Sequence, residues 1–328
     1  MESVALFGYA GVLTRQATLD TSWTLAVPTI PTLEPAMHVF HDDETPRPAP
    51  EGPRAFVTGW PVWHSRSPII HGTWLQQFGL SGSYERLGIP PEEFGEFLTD
   101  FGRSGFVGGN VTLPHKETAF AAVAKRDAAA EAIGAVNTLW LEDGVLTGGN
   151  TDAYGFAANL DERLPGWADA GEAVVLGAGG AALAVVFALL SRGISKVRVV
   201  NRTEARALAL AQRFGSRVSG HGEAEREALL ATANLVVNTV PPPPLDEFGR
   251  EAPLPDLSGL PDTALVTDIV YVPLTTPILR AAEARGLRHA DGLGMLLHQA
   301  VPGFERWFGR RPVVDAALRD LLVADISK

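Results

Sequence analysis

Along the chain, short apolar runs rich in β-branched residues alternate with longer segments whose apolar positions recur at helical spacing. RAFVTG (54–59) is followed by IIHGTWLQQFG, GSYERL by PEEFGEFLTDF, and GFVGGNVT by KETAFAAVAKR. Such alternation predicts βα units and a largely parallel sheet. A second series opens at Glu172 with EAVVLGAGG and continues through AALAVVFALLSRG, KVRVVNR, EARALALAQRFG, NLVVNT and ALVTDIV. The pattern predicts an α/β fold of two domains with a cleft between them. A helix beginning near Asp152 starts the crossover, and LPGWADAGE (164–172) reads as its connection to the second series.

The first fifty or so residues do not share this periodicity. TPRPAPEGP (45–53) is proline-rich and reads as an extended, weakly ordered stretch. Residues 1–53 are therefore read as a poorly ordered extension, and Met37 is an alternative start. The opening MESVALFGYAGVL carries Glu2 and lacks a basic flank, so it does not read as a secretory signal.

Composition narrows the class. With 328 residues, 46% of them hydrophobic and 20% charged, the chain is that of a globular protein of two ordinary domains. A formal net charge of -11 argues against nucleic acid and anionic membranes as partners, because the far field repels phosphate. An anionic ligand must then meet cations placed locally. The absence of cysteine excludes disulfides, zinc thiolates and thiol catalysis, and suits a cytoplasmic protein. The histidines show no H-x-x-x-H spacing for a metal, so none is expected.

The first chemical signal is Glu172–Leu183, EAVVLGAGGAAL. An apolar strand runs into Gly177, Gly179, Gly180 and Ala182, a G-x-G-x-x-A loop, and a helix follows. The first glycine permits the tight turn, the second lets a pyrophosphate approach the backbone, and the small sixth residue lets helix and strand pack closely. The next strand, KVRVV, ends in Asn201, Arg202 and Thr203, a cation and hydrogen-bonding groups where an NAD site would carry an acid. NADP is favoured over NAD.

A second set lies on either side of this loop. In GWPVWHSRSPIIH (59–71), Ser65 and Ser67 are two apart, so their hydroxyls share a side in an extended segment. Ser67 before Pro68 also reads as a helix N-cap, and the pair suits a carboxylate or merely caps the helix. NVTLPHKE (110–117) puts Lys116 at a helix start after a proline turn, with Thr112 four residues earlier. A surface lysine is the plain alternative. Asn137 sits in a strand among apolar neighbours, Asp152 opens a helix or caps it, Tyr271 follows a strand as a site or core residue, and Gln299 lies on a helix as a site or surface residue.

Together, GWPVWHSRSP, GGNVTLPHKE, GAVNTL with GGNTDAYG, VVLGAGGAA with VVNRT, and DIVYVPLTTP with DGLGMLLHQ resemble the shikimate dehydrogenase family over residues 54 to about 325. The resemblance implies a substrate-binding α/β domain of residues 54–152 and 291–328 and a doubly wound, Rossmann-type NADP-binding domain of residues 153–290, with the final helices returning to the first domain. It implies NADPH-dependent reduction of 3-dehydroshikimate to shikimate, a step toward chorismate and the aromatic amino acids. Lys116 and Asp152 would be the catalytic pair. Ser65 and Ser67 would hold the substrate carboxylate, Thr112, Asn137, Asp152 and Gln299 the ring hydroxyls, and Tyr271 would line the same cleft. Gly177, Ala178, Gly179, Gly180 and Ala181 would take the pyrophosphate, Asn201, Arg202 and Thr203 the 2′-phosphate, and Gly292 would also lie on the cofactor side. The only partner implied is a small molecule, and a homodimer is compatible with the pattern.

Three features depart from the family pattern. Leu183 stands where an arginine usually follows the glycine loop, VPPPPLDEFG from Val240 replaces a glycine-containing loop near the nicotinamide, and Trp60 and Trp63 flank the serine motif. Weak NADP binding is expected from the first two. A quinate or dual quinate/shikimate dehydrogenase, with NAD in use, is the alternative enzyme, and a catalytically weak NADP- or metabolite-binding paralogue is the alternative outside catalysis.

Overall fold

The computed structural model describes residues 51–241 and 256–328. The extension up to residue 50 and most of the VPPPPLDEFG segment lie outside the described residues. Within them the chain forms two six-stranded sheets with helices packed on them.

The first sheet has β1 (Arg54–Gly59), β2 (Ser83–Gly88), β3 (Gly108–Val111), β4 (Lys125–Arg126), β5 (Thr138–Glu142) and β6 (Val145–Gly149), in the order β2-β1-β3-β5-β6-β4. Its helices are α1 (Ser67–Phe78), α2 (Pro91–Thr99), α3 (Lys116–Ala122) and α4 (Ala128–Ile133). Side chains alternate across β1 with a period of two: Phe56 joins the phenylalanine cluster of α2, while Ala55 and Val57 pack with Tyr84, Trp140 and Trp307 on the other face. The sheet is mixed rather than wholly parallel, because β5 runs antiparallel to both β3 and β6. The cause is a two-residue turn at Asp143 and Gly144, with φ of 53° and 76°, which is the Asp-Gly hairpin geometry.

Helix α5 (Asp152–Arg163) leaves this sheet and leads to the second. The connection after it is anchored by Trp167, which is fully buried, stacks edge-on against Phe156 and donates to Asp161 Oδ1 at 2.9 Å. The second sheet contains β7 (Glu172–Leu176), β8 (Lys196–Val200), β9 (Val218–His221), β10 (Leu235–Asn238), β11 (Leu265–Asp268) and β12 (His289–Ala290). Its order, β12-β11-β10-β7-β8-β9, has every neighbouring pair parallel. This is the doubly wound arrangement, with the strand order reversing between β7 and β10. Helices α6 (Gly180–Ser191), α7 (Glu204–Phe214), α8 (Arg226–Leu230) and α9 (Pro277–Ala284) belong to this half.

The last helices, α10 (Leu293–Phe308) and α11 (Ala316–Ile326), pack against α1, with Leu297, Ala300, Val301 and Phe304 meeting Ile70 and Trp74. Trp307 of α10 donates to the Leu139 carbonyl of β5 at 2.9 Å. Helices α10 and α5 cross closely at Gly155, where a Cβ would lie 2.6 Å from the Met295 carbonyl and 2.7 Å from Gln299 Cβ. Only glycine permits that approach.

Candidate active site

The loops that carry the expected polar residues leave neighbouring strands at their C-terminal ends. β1 and β3 are parallel partners, so the serine loop after Gly59 and the lysine loop after Val111 emerge side by side. The two loops are tied by Trp60 N–H to the Leu113 carbonyl at 3.0 Å and by Thr112 N–H to the Thr58 carbonyl at 2.8 Å. Thr112 therefore sits against the start of the serine loop, and the chain turns through His115 into α3, whose first residue is Lys116.

Lys116 Nζ donates to Asp152 Oδ2 at 2.7 Å. The other carboxylate oxygen, Oδ1, accepts from Asn137 Nδ2 at 2.7 Å. Asn137 is itself oriented, because its Oδ1 accepts from the Thr151 backbone N–H at 2.8 Å and from the Thr138 hydroxyl at 2.9 Å. The Lys116 carbonyl accepts from Val136 N–H at 3.0 Å, which fixes the lysine backbone beside Asn137, a residue that precedes β5 rather than lying within a strand as the sequence suggests. Lys116 and Asp152 are 28% and 18% exposed, so the pair is sheltered yet reachable by a small molecule.

His115, next to Lys116, is held neutral: burial lowers its pKa, against the bond of Nε2 to the Ile89 carbonyl at 2.7 Å. Its ring stacks on Phe94. The lysine is thus the cation of this turn.

The serine motif differs from the sequence expectation in one detail. Helix α1 begins at Ser67 itself with Arg66 as the N-cap, and the Ser67 N–H donates to Ser65 Oγ at 3.3 Å. Pro68 occupies the second helical position, one later than expected, so Ser67 is not the N-cap, and Ser65 Oγ is the side-chain acceptor at the helix start. The loop is clamped from β2, where Arg86 donates through Nε and Nη2 to the Ser65 carbonyl at 3.1 and 2.8 Å. Arg66, between the serines, binds Asp325 of α11 at 2.9 Å and lies 5.9 Å from the Tyr271 ring centre.

Tyr271 is half-buried against the α1 and α10 cluster. Its loop is held by Asp268, whose carboxylate accepts from Thr276 Oγ1 at 2.6 Å, Val270 N–H at 2.9 Å and Asn238 Nδ2 at 3.0 Å. Burial raises the pKa of this carboxyl, opposed by those three donors. Gln299 is buried on α10 against Gly155, one turn into the helix that Asp152 opens, and its Nε2 donates to the Leu296 carbonyl at 3.0 Å. Lys116, Asp152 and Asn137 are thus in direct contact, Ser65 and Ser67 are paired, Thr112 joins the two loops, and Tyr271 and Gln299 approach through Arg66 and Gly155.

The glycine loop lies where the second sheet reverses. Gly177 has φ of +102°, and a Cβ there would meet Thr239 Oγ1 at 2.5 Å, so the position demands glycine. Ala178 follows it in the turn, and Gly179 caps α6 with no side-chain bond to the helix end. Nothing lies within 4 Å of where a Cβ would stand at Gly179 or Gly180, and Ala181 is exposed. Backbone amides at an uncovered helix start suit a phosphate. On the neighbouring strand, Asn201 Nδ2 bonds the Thr203 carbonyl at 2.9 Å, Thr203 is the N-cap of α7, and Arg202 is exposed with no ion pair among the described residues. A free cation with no acid at the strand end fits a 2′-phosphate better than a bare ribose. Gly292 is placed apart from this loop, against Ile269 after β11, toward the opposite side of the sheet from Arg202. Leu183 is half-buried against the core of this half, so packing has taken the position.

Tyr84 and Arg86 bear on the site from outside the sequence motifs, while Asn110, Thr138 and Thr151 lie within the motifs without a role assigned from sequence. A buried asparagine in the strand GGNV and the threonine after Asn137 are the available hints.

Comparison with known proteins accords with this geometry. Residues 57–139 match the shikimate dehydrogenase substrate binding domain, 161–243 the shikimate / quinate 5-dehydrogenase family and 292–320 the shikimate 5′-dehydrogenase C-terminal domain. A shikimate dehydrogenase (NADP(+)) of Mesorhizobium japonicum is 62% identical over 273 residues, spanning 83% of this chain and 96% of that protein. The shikimate 5-dehydrogenase of Thermus thermophilus, solved in complex with NADP(H) and shikimate, is 39% identical with a TM-score of 0.72, covering 84% of this chain and 99% of that one. The quinate dehydrogenase of Corynebacterium glutamicum, solved with NAD, is 31% identical with a TM-score of 0.75 over 83% and 99%. From the matched domains and these identities, the chain belongs to the shikimate dehydrogenase family.

Proposed function

We propose that the protein catalyses the reversible, NADPH-dependent reduction of 3-dehydroshikimate to shikimate, with Lys116 and Asp152 as the catalytic pair. The observation that carries the reading is the contact of Lys116 Nζ with Asp152 Oδ2, the other carboxylate oxygen being held by Asn137. When bound, NADPH supplies a hydride to the C3 carbonyl carbon. Negative charge then grows on the carbonyl oxygen, where the Lys116 ammonium stabilises it and delivers a proton. Asp152 keeps the ammonium aimed and accepts hydrogen bonds throughout. Ser65 and Ser67 take the ring carboxylate, and Thr112, Asn137, Asp152 and Gln299 take the ring hydroxyls, with Tyr271 beside them.

Gly177 to Ala181 would hold the pyrophosphate, Arg202 with Asn201 and Thr203 the 2′-phosphate, and Gly292 the far end of the cofactor cleft. Residues 54–152 with 291–328 form the substrate half and 153–290 the cofactor half in this reading. A cytoplasmic location suits the cysteine-free composition, and a homodimer remains part of the proposal.

In the oxidative direction Lys116 must begin neutral, so shikimate oxidation should rise with pH more steeply than the reduction; parallel profiles would argue against Lys116 as the proton donor. The deciding assay measures NADPH oxidation with 3-dehydroshikimate beside shikimate and quinate oxidation with NADP and NAD. A preference for shikimate with NADP is expected. A preference for quinate with NAD would replace the reading.

A further inference from the structure

Behind Asn137 lies a chain of buried hydroxyls and amides that the proposed reaction does not itself use. It starts at Tyr84, on β2, whose hydroxyl donates to Asn110 Oδ1 at 2.5 Å. With Oδ1 so engaged, the Asn110 amide nitrogen faces β5 and donates to Thr138 Oγ1 at 3.3 Å and to the Asn137 carbonyl at 3.2 Å. Thr138 has one hydroxyl hydrogen, and of its two neighbours, Asn137 Oδ1 at 2.9 Å and Thr151 Oγ1 at 3.2 Å, the closer amide oxygen takes it. The Thr151 N–H and hydroxyl reach the same oxygen at 2.8 and 3.2 Å. Asn137 Oδ1 is thereby filled with donors, and its amide can turn only its N–H groups toward Asp152.

We infer that Tyr84, Asn110 and Thr138 are positioning residues of the reaction, setting the amide of Asn137 so that it always donates to Asp152. The inference rests on the reading of Lys116 and Asp152 as the catalytic pair. Every bond of the chain points the same way: Tyr84 to Asn110, Asn110 to Thr138, Thr138 to Asn137, Asn137 to Asp152. Aligned donors polarise one another, so the last one binds the carboxylate more strongly than an isolated amide would. A donor on Oδ1 keeps Asp152 an acceptor on both oxygens, which leaves Lys116 as the member of the pair that exchanges a proton with substrate.

The setting supports a tuned network rather than incidental polarity. Asn110, Asn137, Thr138 and Thr151 are all buried, where an unmatched polar group would be costly. The first donor is also held in its donating form: burial raises the Tyr84 pKa well above its usual value, with the neighbouring Ser67 hydroxyl pulling the other way. The Tyr84 ring is fixed by stacking on His71, with centroids 3.9 Å apart.

The test is steady-state kinetics of shikimate oxidation with NADP on Thr138→Val, Thr138→Ser and Tyr84→Phe, run beside Lys116→Ala and Asp152→Asn. Thr138→Val keeps the shape and removes the hydroxyl, so kcat should fall about tenfold, more than KM changes, since the serine pair is untouched. Thr138→Ser loses a methyl but keeps the hydroxyl and should recover most of that rate. A packing role predicts the reverse order. Wild-type kcat in Thr138→Val, or equal loss in Val and Ser, overturns the inference while leaving the catalytic pair intact, provided that Lys116→Ala and Asp152→Asn lose turnover. If those two keep turnover, the pair and this inference fall together. Should Thr138→Val not fold, Tyr84→Phe decides, because it keeps the stacked ring: a fall in kcat supports the chain and an unchanged kcat overturns it.

Discussion

The sheet behind the glycine loop and the sheet behind Lys116 bury different chemistry. In the former, Ala173, Val175, Val197, Val199, Leu235 and Val237 face one layer while Val174, Leu176, Val200 and Val236 face the other, so the central strands are apolar on both sides apart from Arg198 of β8, which is buried against Thr232 and Glu172. In the latter, the strands bury Thr58, Asn110, Thr138 and Thr147 among their apolar neighbours. The first arrangement is what a parallel sheet covered by helices requires, and in the proposed reading its ligand would be met by backbone amides at the strand ends. The second gives up apolar contact to hold side chains in fixed orientation. A cofactor shared by many proteins can be gripped by backbone, whereas a proton transfer needs particular side-chain atoms in place.

The largest effect is expected on the polar side. Asp152→Asn should lower turnover by roughly 10²- to 10⁴-fold, the range for general acid–base participation, while NADP binding measured by fluorescence titration stays close to that of the parent. A large loss of NADP affinity would mean that the two halves are not separable in this way.

The next effect concerns acid stability. His71 is fully buried among Tyr84, Trp74, Phe304 and Trp307, both ring nitrogens lack hydrogen-bond partners, and burial lowers its pKa to about 3, with Asn110 opposing. The unfolded chain takes up this proton near pH 6.5 and the folded chain only near 3, so the unfolded state binds more protons between those values. Stability should therefore fall as pH drops through that window, by up to several kcal/mol, and be unaffected by this group above it. His71→Phe should flatten the acid limb of Tm against pH. Hydrogen exchange at pH 4.5 should reach β1 to β3 before β7 and β10, and the opposite order would refute a weak point in the lysine-bearing half.

How much of this is legible in the sequence differs between the halves for the same reason. The glycine-loop sheet is readable because continuous apolar strands and the Gly177 turn are local signals, and the doubly wound order follows from them. The other half is readable as α/β, but a largely parallel reading overlooks the reversal of β5, although the Asp143-Gly144 pair announces a hairpin. Lys116, Asp152 and Asn137 stand out only as motif members. Their contact depends on β3, β5 and the start of α5 meeting in space, and Tyr84, in a different strand, offers no sequence clue to its bond with Asn110. Trp60 and Trp63, the aromatic departure from the family pattern, form an edge-to-face pair beside the serine loop, with Trp63 64% exposed.

Smaller effects are expected at the glycine-loop sheet. Arg202→Ala would remove the proposed charge-assisted contact, worth about 1.5 to 3 kcal/mol, so KM for NADP should rise roughly ten- to hundredfold with kcat little changed. An equal rise in KM for NAD would show that Arg202 does not read the 2′-phosphate. Leu183→Arg should act in the other direction, tightening NADP by about threefold, since an exposed new contact is worth at most about 1 kcal/mol and some packing against the core is lost. No gain would mean that the position does not face the cofactor.

In the proposed mechanism Lys116 carries the proton. Single-turnover NADPH oxidation with saturating 3-dehydroshikimate, compared between the parent protein and Lys116→Ala, tests it most directly when shikimate binding is measured calorimetrically on the same samples. The account predicts a rate lower by about 10²- to 10⁴-fold with shikimate still bound. An unchanged rate with substrate bound would contradict it.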